Sequence, residues 1–477
     1  MAAASPAHSC WHSVACWRSC GFYWTSVRPP DSKRASRALV LPRCVREPWE
    51  MNRPHRSDSA RARRSAPDGA RRRVLWGPVV GLGLVSLAAD VVSDGARPLA
   101  GPLLAQLGAS ALAVGLVTGA AEAAAQGLRL VFGPWADRTG RYWTFTLAGY
   151  ALTAVCVPLL AVAPLAGTSG LVLASVLIIG DRIGKAVRSP AKTVLLAAVA
   201  KPVGRGRGFA VHKSLDLVGA LLGPVLVAAV FTATGNLSAA FAVLSIPAAA
   251  AMFLLFWLRR RIPDPGAGRQ AAAPAGQVSE NAVDLAPPGV AGRPASLFFG
   301  SFALFAAAAF CWSAGLVAFG VISFHLTTTA AVPVSVVALL YAAAMAAAAL
   351  GALASGALYD RSGAWVLLSI PVLTAVVPVL ALAPAAVLAF AGVLAWGTAL
   401  GIQDSTVKAL LADLVPEQRQ GTAYGVFAAF QGAGALAGGV LYGGLYDTRP
   451  LLIASVAVLQ LLALALLVVA LRRTRRP

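Results

Sequence analysis

The stretch GPWADRTGR runs from Gly133 to Arg141, and a related stretch, GALYDRSGA, runs from Gly356 to Ala364. Each follows an apolar run of about 20 residues, the length that an α-helix needs to cross the hydrocarbon core of a bilayer. Two more related stretches, Leu195–Val211 and Leu410–Val426, lie at matching positions further along the chain. The chain therefore contains an internal repeat, and the repeated unit is a group of membrane-spanning segments.

Apolar runs of this length recur from Val74 to Leu471. The 477-residue chain is 58% hydrophobic and 12% charged, whereas a soluble domain carries about 25% charged residues. We predict an all-α integral membrane protein with 12 transmembrane helices in two pseudo-symmetric six-helix halves. The expected spans, numbered 1 to 12, are 76–103, 111–133, 142–164, 168–198, 207–232, 236–258, 297–327, 333–358, 364–383, 386–413, 421–446 and 450–471.

Basic residues alternate between the two sets of connecting loops. The loops after spans 1, 3, 5, 7 and 9 contain no Lys or Arg, and the loop after span 11 contains only Arg449. The loops after the even-numbered spans carry basic residues, as does the C-terminal tail. Because basic loops remain in the cytoplasm, this pattern predicts a multi-pass protein of the cell membrane with both termini cytoplasmic. Topology thus explains the net charge of +21, and we expect no nucleic-acid partner.

Composition divides the chain into five segments. The expected segments are a basic disordered tail (1–73), an N-terminal half (74–258), a flexible Pro/Gly/Ala-rich cytoplasmic linker (259–296), a C-terminal half (297–471) and a basic cytoplasmic tail (472–477). Met51 opens a short basic leader to span 1, so we expect translation to start there and residues 1–50 to be a start-site misassignment. The cysteines between His8 and Cys20 lack paired Cys-x-x-Cys spacing, so we expect no metal site there.

Ionisable residues inside spans are costly and therefore mark pathways or partners. They are absent from the cores of spans 3, 6, 9 and 12, which we expect to face lipid. They occur in spans 1, 2, 4, 5, 7 and 10, which we expect to line a solute pathway. The candidates for proton or substrate binding are Asp90, Asp94, Arg97, Glu122, Arg182, Lys185, Arg188, His212, Asp216, His325, Asp404 and Lys408.

The N-terminal spans leave two interpretations open for these candidates. Asp90 and Asp94 lie about 40° apart around a helix, with Arg97 on the same side. They are either carboxylates that carry protons or solute, with Arg97 as their modulator, or an ion pair that locks span 1 to a neighbour. Glu122, which shares a polar stripe with Gln126 and Arg129, is a second candidate proton carrier.

Span 4 places three basic residues and one acidic residue on one face. These are Asp181, Lys185, Arg188 and Lys192, with Arg182 about 100° away. Such a face requires acidic partners, water or an anionic substrate, because a dry cluster of cations would repel itself. The alternative interpretation is a set of ion pairs that closes the cytoplasmic mouth.

The remaining candidates lie in spans 5, 7 and 10. His212 and Asp216 share one face of span 5 with Gly219 and Gly223. His325 has a side chain suited to proton transfer near neutral pH, or it is a lone histidine with satisfied hydrogen bonds. Asp404 and Lys408 are four residues apart in span 10, and we expect them to pair with each other at the border of the pathway.

With these motifs the chain resembles the major facilitator superfamily over Val74–Leu471. GPWADRTGR is similar to its G-x-x-x-D-R-x-G-R loop between helices 2 and 3, and GALYDRSGA is similar to the weaker second copy, with Ala364 in place of a basic residue. The resemblance implies that residues of these two loops control conformational exchange rather than contact solute. They are Gly133, Asp137, Arg138, Gly140, Arg141, Gly356, Asp360, Arg361 and Gly363.

The resemblance extends to helices 4 and 5. Arg182 matches an arginine that is implicated in proton coupling in exporters of the superfamily, and Gly219-x-x-x-Gly223-Pro224 resembles a fifth-helix motif of antiporters. A plain packing motif is the alternative for these glycines. Neighbouring stretches resemble a bacterial branch of unclear substrate, but Thr193 and Ala198 stand where that branch has acids, so its charge pairings need not apply here.

These observations predict a proton-coupled secondary active transporter that exports small organic molecules by alternating access, as an antiporter. The alternative is proton-coupled uptake of a small, anionic solute. We find no phosphate-binding glycine loop and no Ser/His/Asp set in plausible order, so we expect neither an enzyme nor an ATP-driven pump, and no cofactor or metal. The expected partners are a small-molecule substrate, protons and the lipid bilayer, and we expect a monomer.

Overall fold

The computed structural model describes residues 68–264, 300–414 and 420–474, and its regular structure is helical throughout these ranges. The α-helices are α1 Asp68–Gln106, α2 Ala111–Gly127, α3 Arg129–Thr139, α4 Tyr142–Leu159, α5 Gly170–Ala200, α6 Arg205–Thr234, α7 Leu237–Ala242, α8 Ser245–Arg259, α9 Ser301–Gly315, α10 Phe319–Thr328, α11 Val334–Ser362, α12 Ser369–Ala381, α13 Ala386–Leu414, α14 Gln420–Gly444 and α15 Arg449–Thr474. Three predicted spans consist of two helices each: α2 with α3, α7 with α8, and α9 with α10.

Ten stretches of the described residues are long and apolar enough to cross a membrane. Two of them, Tyr142–Val203 and Val334–Ala381, contain 62 and 48 residues, which exceeds the length of one crossing. The first contains α4 and α5, which run in opposite directions, since Gly149 packs on Gly184 and the segment after α4 packs on Gly170. The second contains α11 and α12, separated by a 3₁₀ turn at Gly363–Leu368. This arrangement is compatible with the twelve predicted spans.

Several helices extend beyond their predicted ends. α1 already begins at Asp68, inside the segment that the sequence predicted to be a disordered tail, and the rest of that segment lies outside the described residues. Asp137 with Arg138 and Asp360 with Arg361 belong to the last turns of α3 and α11, so their prediction as loop residues was wrong. The predicted linker from residue 265 and the tail from residue 475 lie outside the described residues.

Glycine explains these late helix ends. Gly140 follows α3 with a φ of 63°, and Gly363 follows α11 with a φ of 67°. A left-handed residue at this position terminates a helix, and glycine adopts it without steric cost. The polar end of each repeated motif therefore stays helical until its glycine is reached.

The outer surface is apolar where the charge pattern predicted contact with lipid. Val155 of α4, Phe253 of α8, Val372 of α12 and Val458 of α15 are 55%, 71%, 56% and 65% exposed. These helices correspond to predicted spans 3, 6, 9 and 12. Large exposed apolar side chains are stable against lipid chains, so the surface fits a membrane-embedded bundle.

The two ends of the bundle differ in charge. One end contains the connections after α3, α5 and α11, with Arg138, Arg141, Lys201 and Arg361 among its residues, and we call it the arginine end. The other end contains the connections around Gly108, Gly167 and Gly235, and we call it the opposite end. The predicted topology assigns the arginine end to the cytoplasm.

Candidate functional site

A cavity of about 1130 Å³ lies between the two halves of the bundle. Its lining extends from Ala100 and Phe319, deep in the bundle, to Asp137, Arg138 and Thr422 at the arginine end. Ligand pockets for small molecules have volumes of about 300 to 1,000 Å³. The cavity is therefore large enough for an organic molecule together with water.

Tight helix contacts close the bundle towards the opposite end. Gly101 of α1 packs against the Gly320 carbonyl of α10, and Gly115 of α2 packs against the Gly439 carbonyl of α14, so closely that a Cβ atom at either position would overlap its neighbour. Small residues permit this approach of helix backbones. A continuous apolar core that includes Leu103 and Tyr442 surrounds these contacts. The cavity thus opens towards the arginine end.

The two halves contribute different walls to this cavity. Of the fifteen charged residues that line it, fourteen belong to the N-terminal half, and Asp404 is the one from the described C-terminal residues. Spans 6, 9 and 12 contribute no described lining residue, as the sequence predicted, while span 3 contributes only Val157 and Leu160. Spans 8 and 11 also line the cavity. The sequence did not predict this, because these spans contain no ionisable residue.

Nine of the twelve predicted candidates line the cavity. They are Asp90, Asp94, Arg97, Glu122, Arg182, Lys185, Arg188, Asp216 and Asp404. His212 is buried beside it, and His325 lies in the apolar core near the opposite end. The side chain of Lys408 lies outside the described part of the chain, so its predicted pairing with Asp404 is not tested.

Arg97 is the centre of a network that joins both halves. Its Nη2 donates to Glu122 Oε1 at 2.6 Å, and its Nε lies 3.8 Å from Asp94 Oδ1. Its Nη1 donates to the Tyr341 hydroxyl at 3.3 Å, and that hydroxyl donates to Asp94 Oδ1 at 3.1 Å. Tyr341 is fully buried and belongs to α11. A cation between two carboxylates is well compensated for burial.

A second ion pair lies on α5. Arg182 Nε is 3.3 Å from Asp181 Oδ2, and Ser93 of α1 donates to Asp181 Oδ1 at 3.1 Å. Consecutive residues such as Asp181 and Arg182 lie about 100° apart around a helix. The long side chain of Arg182 spans that angle and reaches the Asp181 carboxylate. Arg182 is thus engaged with its neighbour, while its Nη1 atom is buried without a partner among the described residues.

Asp90 and Lys185 face the cavity without such partners. Asp90 is half-buried on α1, one turn before Asp94, and Lys185 is half-buried on α5. Neither makes a hydrogen bond or ion pair with another described residue. Charged side chains in a water-filled cavity that lack a fixed partner are available to a proton or to a solute.

The glycines of the fifth-helix motif make close contacts with α1. Gly219 lies against the backbone of Leu87, and Gly223 lies against Val91 and Gly95 of α1. In the same helix, His212 Nδ1 lies 3.1 Å from Asp216 Oδ1. The small residues therefore bring α6 against the part of α1 that carries Asp90, which favours the packing interpretation of the motif.

A break in span 7 was missed by sequence reasoning. The sequence predicted one continuous span, but α9 ends at Gly315, Leu316 has a ψ of 84°, and α10 begins at Phe319. Trp396 Nε1 donates to the freed Val317 carbonyl at 2.8 Å, and the Tyr442 hydroxyl donates to the Gly315 carbonyl at 2.6 Å. The glycines at both sides of the break were the available signal, since interrupted spans often line a binding site.

His325 has partners on both ring nitrogens. Nδ1 lies 2.8 Å from the Tyr446 hydroxyl, and Nε2 lies 3.2 Å from the Ala383 carbonyl. This geometry favours the interpretation as a lone, satisfied histidine. No cluster of three His, Cys, Asp or Glu residues in the described ranges could hold a metal, and the cysteines between residues 8 and 20 lie outside those ranges.

Comparison with known proteins identifies a family. A sequence profile of the Major Facilitator Superfamily matches residues 82–439, and a second match covers residues 323–477. An uncharacterized protein of Mycobacterium tuberculosis is 46% identical over 403 residues, which is 84% of this chain and 94% of that protein. A protein of Mycobacterium bovis matches to the same extent.

Solved transporters share the fold at low identity. A variant of the nucleoside transporter NupG has a TM-score of 0.64 at 16% identity, over 82% of this chain and 99% of that chain. A bacterial homolog of the human lysosomal transporter Spinster, in an inward-facing and unoccupied conformation, has a TM-score of 0.59 at 17% identity, over 84% and 95%. A D-xylose-proton symporter has a TM-score of 0.58 at 15% identity, over 82% and 97%.

Proposed function

The chain belongs to the Major Facilitator Superfamily, and from this premise we propose that it is a proton-coupled antiporter that exports small organic molecules from the cytoplasm by alternating access. The family consists of membrane transporters and not of enzymes, so the substrate crosses the bilayer chemically unchanged. Proton coupling, direction and the chemistry of the substrate are the proposed parts.

The observation that carries the proposal is the position of Asp90. Its carboxylate faces the cavity without a fixed partner, one helical turn from the Asp94–Arg97–Glu122 network. A carboxylate in contact with cavity water can take up and release a proton. The neighbouring network also contacts the C-terminal half through Tyr341, so a change of charge at Asp90 acts close to a contact between the halves.

Two further features support export and location. The basic residues concentrate at the arginine end, which favours a cytoplasmic position for that end in the cell membrane. The cavity then opens to the cytoplasm, from which an exporter must collect its substrate. We infer that a single chain suffices for transport, since the cavity lies within one bundle.

A specific observation also supports the alternative, proton-coupled uptake of a small anionic solute. Lys185, Arg188 and Lys192 line the cavity, and none forms an ion pair with a described carboxylate. These groups would attract an anion from either side. Direction therefore needs its own measurement: an exporter accumulates substrate in inside-out vesicles, and an importer accumulates it in right-side-out vesicles.

Proton coupling is tested by Asp90→Asn in proteoliposomes. Counterflow with nucleosides and D-xylose, the substrates named for two of the fold relatives, and with organic acids first identifies a transported compound. We expect Asp90→Asn to abolish accumulation driven by a pH gradient and to retain downhill exchange, because the neutral amide imitates a permanently protonated acid. Asp447→Asn, an exposed carboxylate at the opposite end, is the matched control and should keep full coupling.

Two outcomes contradict this assignment. If Asp90→Asn accumulates substrate as well as the unchanged protein does, Asp90 is not the coupling residue, and Glu122 or Asp216 becomes the candidate. If Asp90→Asn only lowers yield and thermal stability, and exchange is lost together with coupling, the residue has a structural role.

A further inference from the structure

The charged wall of the cavity contains more unpaired basic groups than unpaired acidic groups. Six basic lining residues form no ion pair with a described residue, compared with three acidic lining residues. The basic residues are Arg129, Arg138, Lys185, Arg188, Lys192 and Lys213, and the acidic residues are Asp90, Asp137 and Asp404. Unbalanced charge in a partly desolvated cavity is stabilised by a ligand of the opposite sign. In total, eight basic and seven acidic residues line the cavity, because Arg97 pairs with two carboxylates and Asp216 pairs with His212. The lining thus has one more basic group than acidic groups, and the unpaired cations are the groups that an anion can bind.

The unpaired cations differ in what already contacts them. Arg188 donates to the Thr153 hydroxyl and lies 4.8 Å from the centre of the Tyr150 ring, and Lys192 donates to Ser86 Oγ at 2.8 Å. Lys185 has no hydrogen bond to a described residue and lies within electrostatic range of two carboxylates, Asp94 and Asp90, and of two guanidinium groups, Arg97 and Arg182. Arg129 also has no hydrogen bond to a described residue, but it lies at the start of α3, nearer the arginine end, whereas Lys185 lies at the middle of α5. Lys185 is thus the unpaired cation that is available deep in the cavity.

The facing wall is aromatic. The rings of Phe319 and Tyr341 are 4.7 Å apart between centroids, and those of Phe319 and Trp396 are 5.3 Å apart. Phe319 and Trp396 line the cavity at the break in span 7, and Met345 and Leu400 extend the same apolar surface. Tyr341 also contacts Asp94, so the aromatic wall lies at the same depth as the charges near Lys185.

We propose that the substrate is an amphipathic organic anion, with its acidic group bound by Lys185 and its apolar ring body packed on Phe319 and Trp396. The proposal rests on the proposed transport function and specifies its substrate class. A hydrophilic anion such as acetate would make no apolar contact with Phe319 or Trp396, and a neutral or cationic ring compound would leave Lys185 without a counter-charge. A molecule with both features contacts both walls.

Binding to the purified full-length protein tests the substrate class without a proton gradient. Isothermal titration at constant pH compares four probes: naphthalene carboxylate, naphthalene carboxamide, naphthylmethylammonium and acetate. We expect the carboxylate to bind at least about tenfold more tightly than each of the others, the difference that one charge-assisted hydrogen bond supplies. The proposal is wrong if the carboxamide, the ammonium compound or acetate binds as tightly as naphthalene carboxylate or more tightly. It is also wrong if naphthalene carboxylate does not bind.

Substitutions test the roles of Lys185 on the charged wall and of Phe319 on the aromatic wall separately. Lys185→Gln should weaken binding of naphthalene carboxylate about tenfold and leave binding of the carboxamide unchanged. Phe319→Leu should weaken binding of both naphthalene carboxylate and naphthalene carboxamide. Lys201→Gln, which removes an exposed charge outside the cavity, is the matched control and should change neither. If Lys185→Gln binds the carboxylate as tightly as the unchanged protein, the assignment of Lys185 is wrong. A variant that fails to fold leaves the four-probe comparison as the deciding test.

This test separates the substrate class from the proposed coupling. If naphthalene carboxylate binds but is not accumulated under a pH gradient, the substrate class stands and proton coupling fails. If another compound class is accumulated while the carboxylate does not bind, the transport function stands and the substrate class fails.

Discussion

Tyr341 connects the two halves at the point where charges are concentrated. Its hydroxyl accepts from Arg97 and donates to Asp94, both in the N-terminal half, while its ring packs on Phe319 in the C-terminal half. The hydroxyl is therefore a hydrogen-bonding element of the conformation that opens at the arginine end. Movement of the halves in alternating access must break or rearrange these bonds.

We expect Tyr341→Phe to lower stability by about 1 kcal/mol, because Asp94 and Arg97 each lose one hydrogen bond while the ring contacts remain. We also expect faster substrate exchange, since fewer bonds hold the halves. Tyr442→Phe is the matched control, because that hydroxyl bonds to Gly315 within one half. Thermal unfolding and counterflow rates measure both effects. An unchanged exchange rate in Tyr341→Phe, or an equal increase in Tyr442→Phe, would contradict the role.

Charged site residues were predictable from the sequence, but their partners were not. The cost of burying Asp90, Glu122 or Lys185 in a bilayer indicated a cavity, and the structure places all three on its surface. The contact of Arg97 with Glu122 joins residues of two helices that lie 25 positions apart in the sequence. Tyr341 and Trp396 carry no charge, so their burial in an apolar span gave no signal at all.

At the scale of elements, the break between α9 and α10 depends on hydrogen bonds from neighbouring helices. Carbonyl groups freed by a helix break need donors inside a bilayer. Trp396 of α13 supplies one donor to Val317. Sequence periodicity does not reveal this break, because the residues around it are apolar whether the span is continuous or interrupted.

We expect Trp396→Phe to destabilise the protein by about 1 to 3 kcal/mol, because the buried Val317 carbonyl loses its donor. Trp312→Phe is the matched control: Trp312 is fully buried, but its Nε1 has no partner among the described residues. Both variants lose similar ring volume, so the difference between their unfolding temperatures reports the hydrogen bond. Equal destabilisation would show that the break does not depend on this donor.

The fifth-helix motif makes a second prediction at this scale. We expect Gly223→Ala to destabilise the bundle, because the added methyl group would meet the Val91 carbonyl and the backbone of Gly95. Gly127→Ala has open space around it, so it should be neutral or stabilise its helix by up to about 1 kcal/mol. Thermal unfolding compares the two. If Gly223→Ala does not lower the unfolding temperature, the packing explanation of the motif is wrong.

At the scale of the whole molecule, the cavity opens at the end where the basic residues are concentrated. The sequence predicted the topology because loop charge is local information. It could not predict which end the cavity opens to, since that depends on contacts such as Gly115 with Gly439, which are far apart in the chain. The arginine end is the open one, so the cavity should be reached from the cytoplasm.

Labelling with a membrane-impermeant maleimide tests this orientation. The background variant replaces the four cysteines before residue 50 with serine and keeps the buried Cys156 and Cys311. We expect Asp404→Cys, exposed in the cavity, to be labelled in inside-out vesicles and protected in right-side-out cells. Leu165→Cys, at a position that is 80% exposed at the opposite end, should show the reverse pattern. Labelling of Asp404→Cys only from outside would invert the topology. Labelling from both sides would show that the unloaded protein readily exchanges between its two open states, because the closed end must then open without substrate.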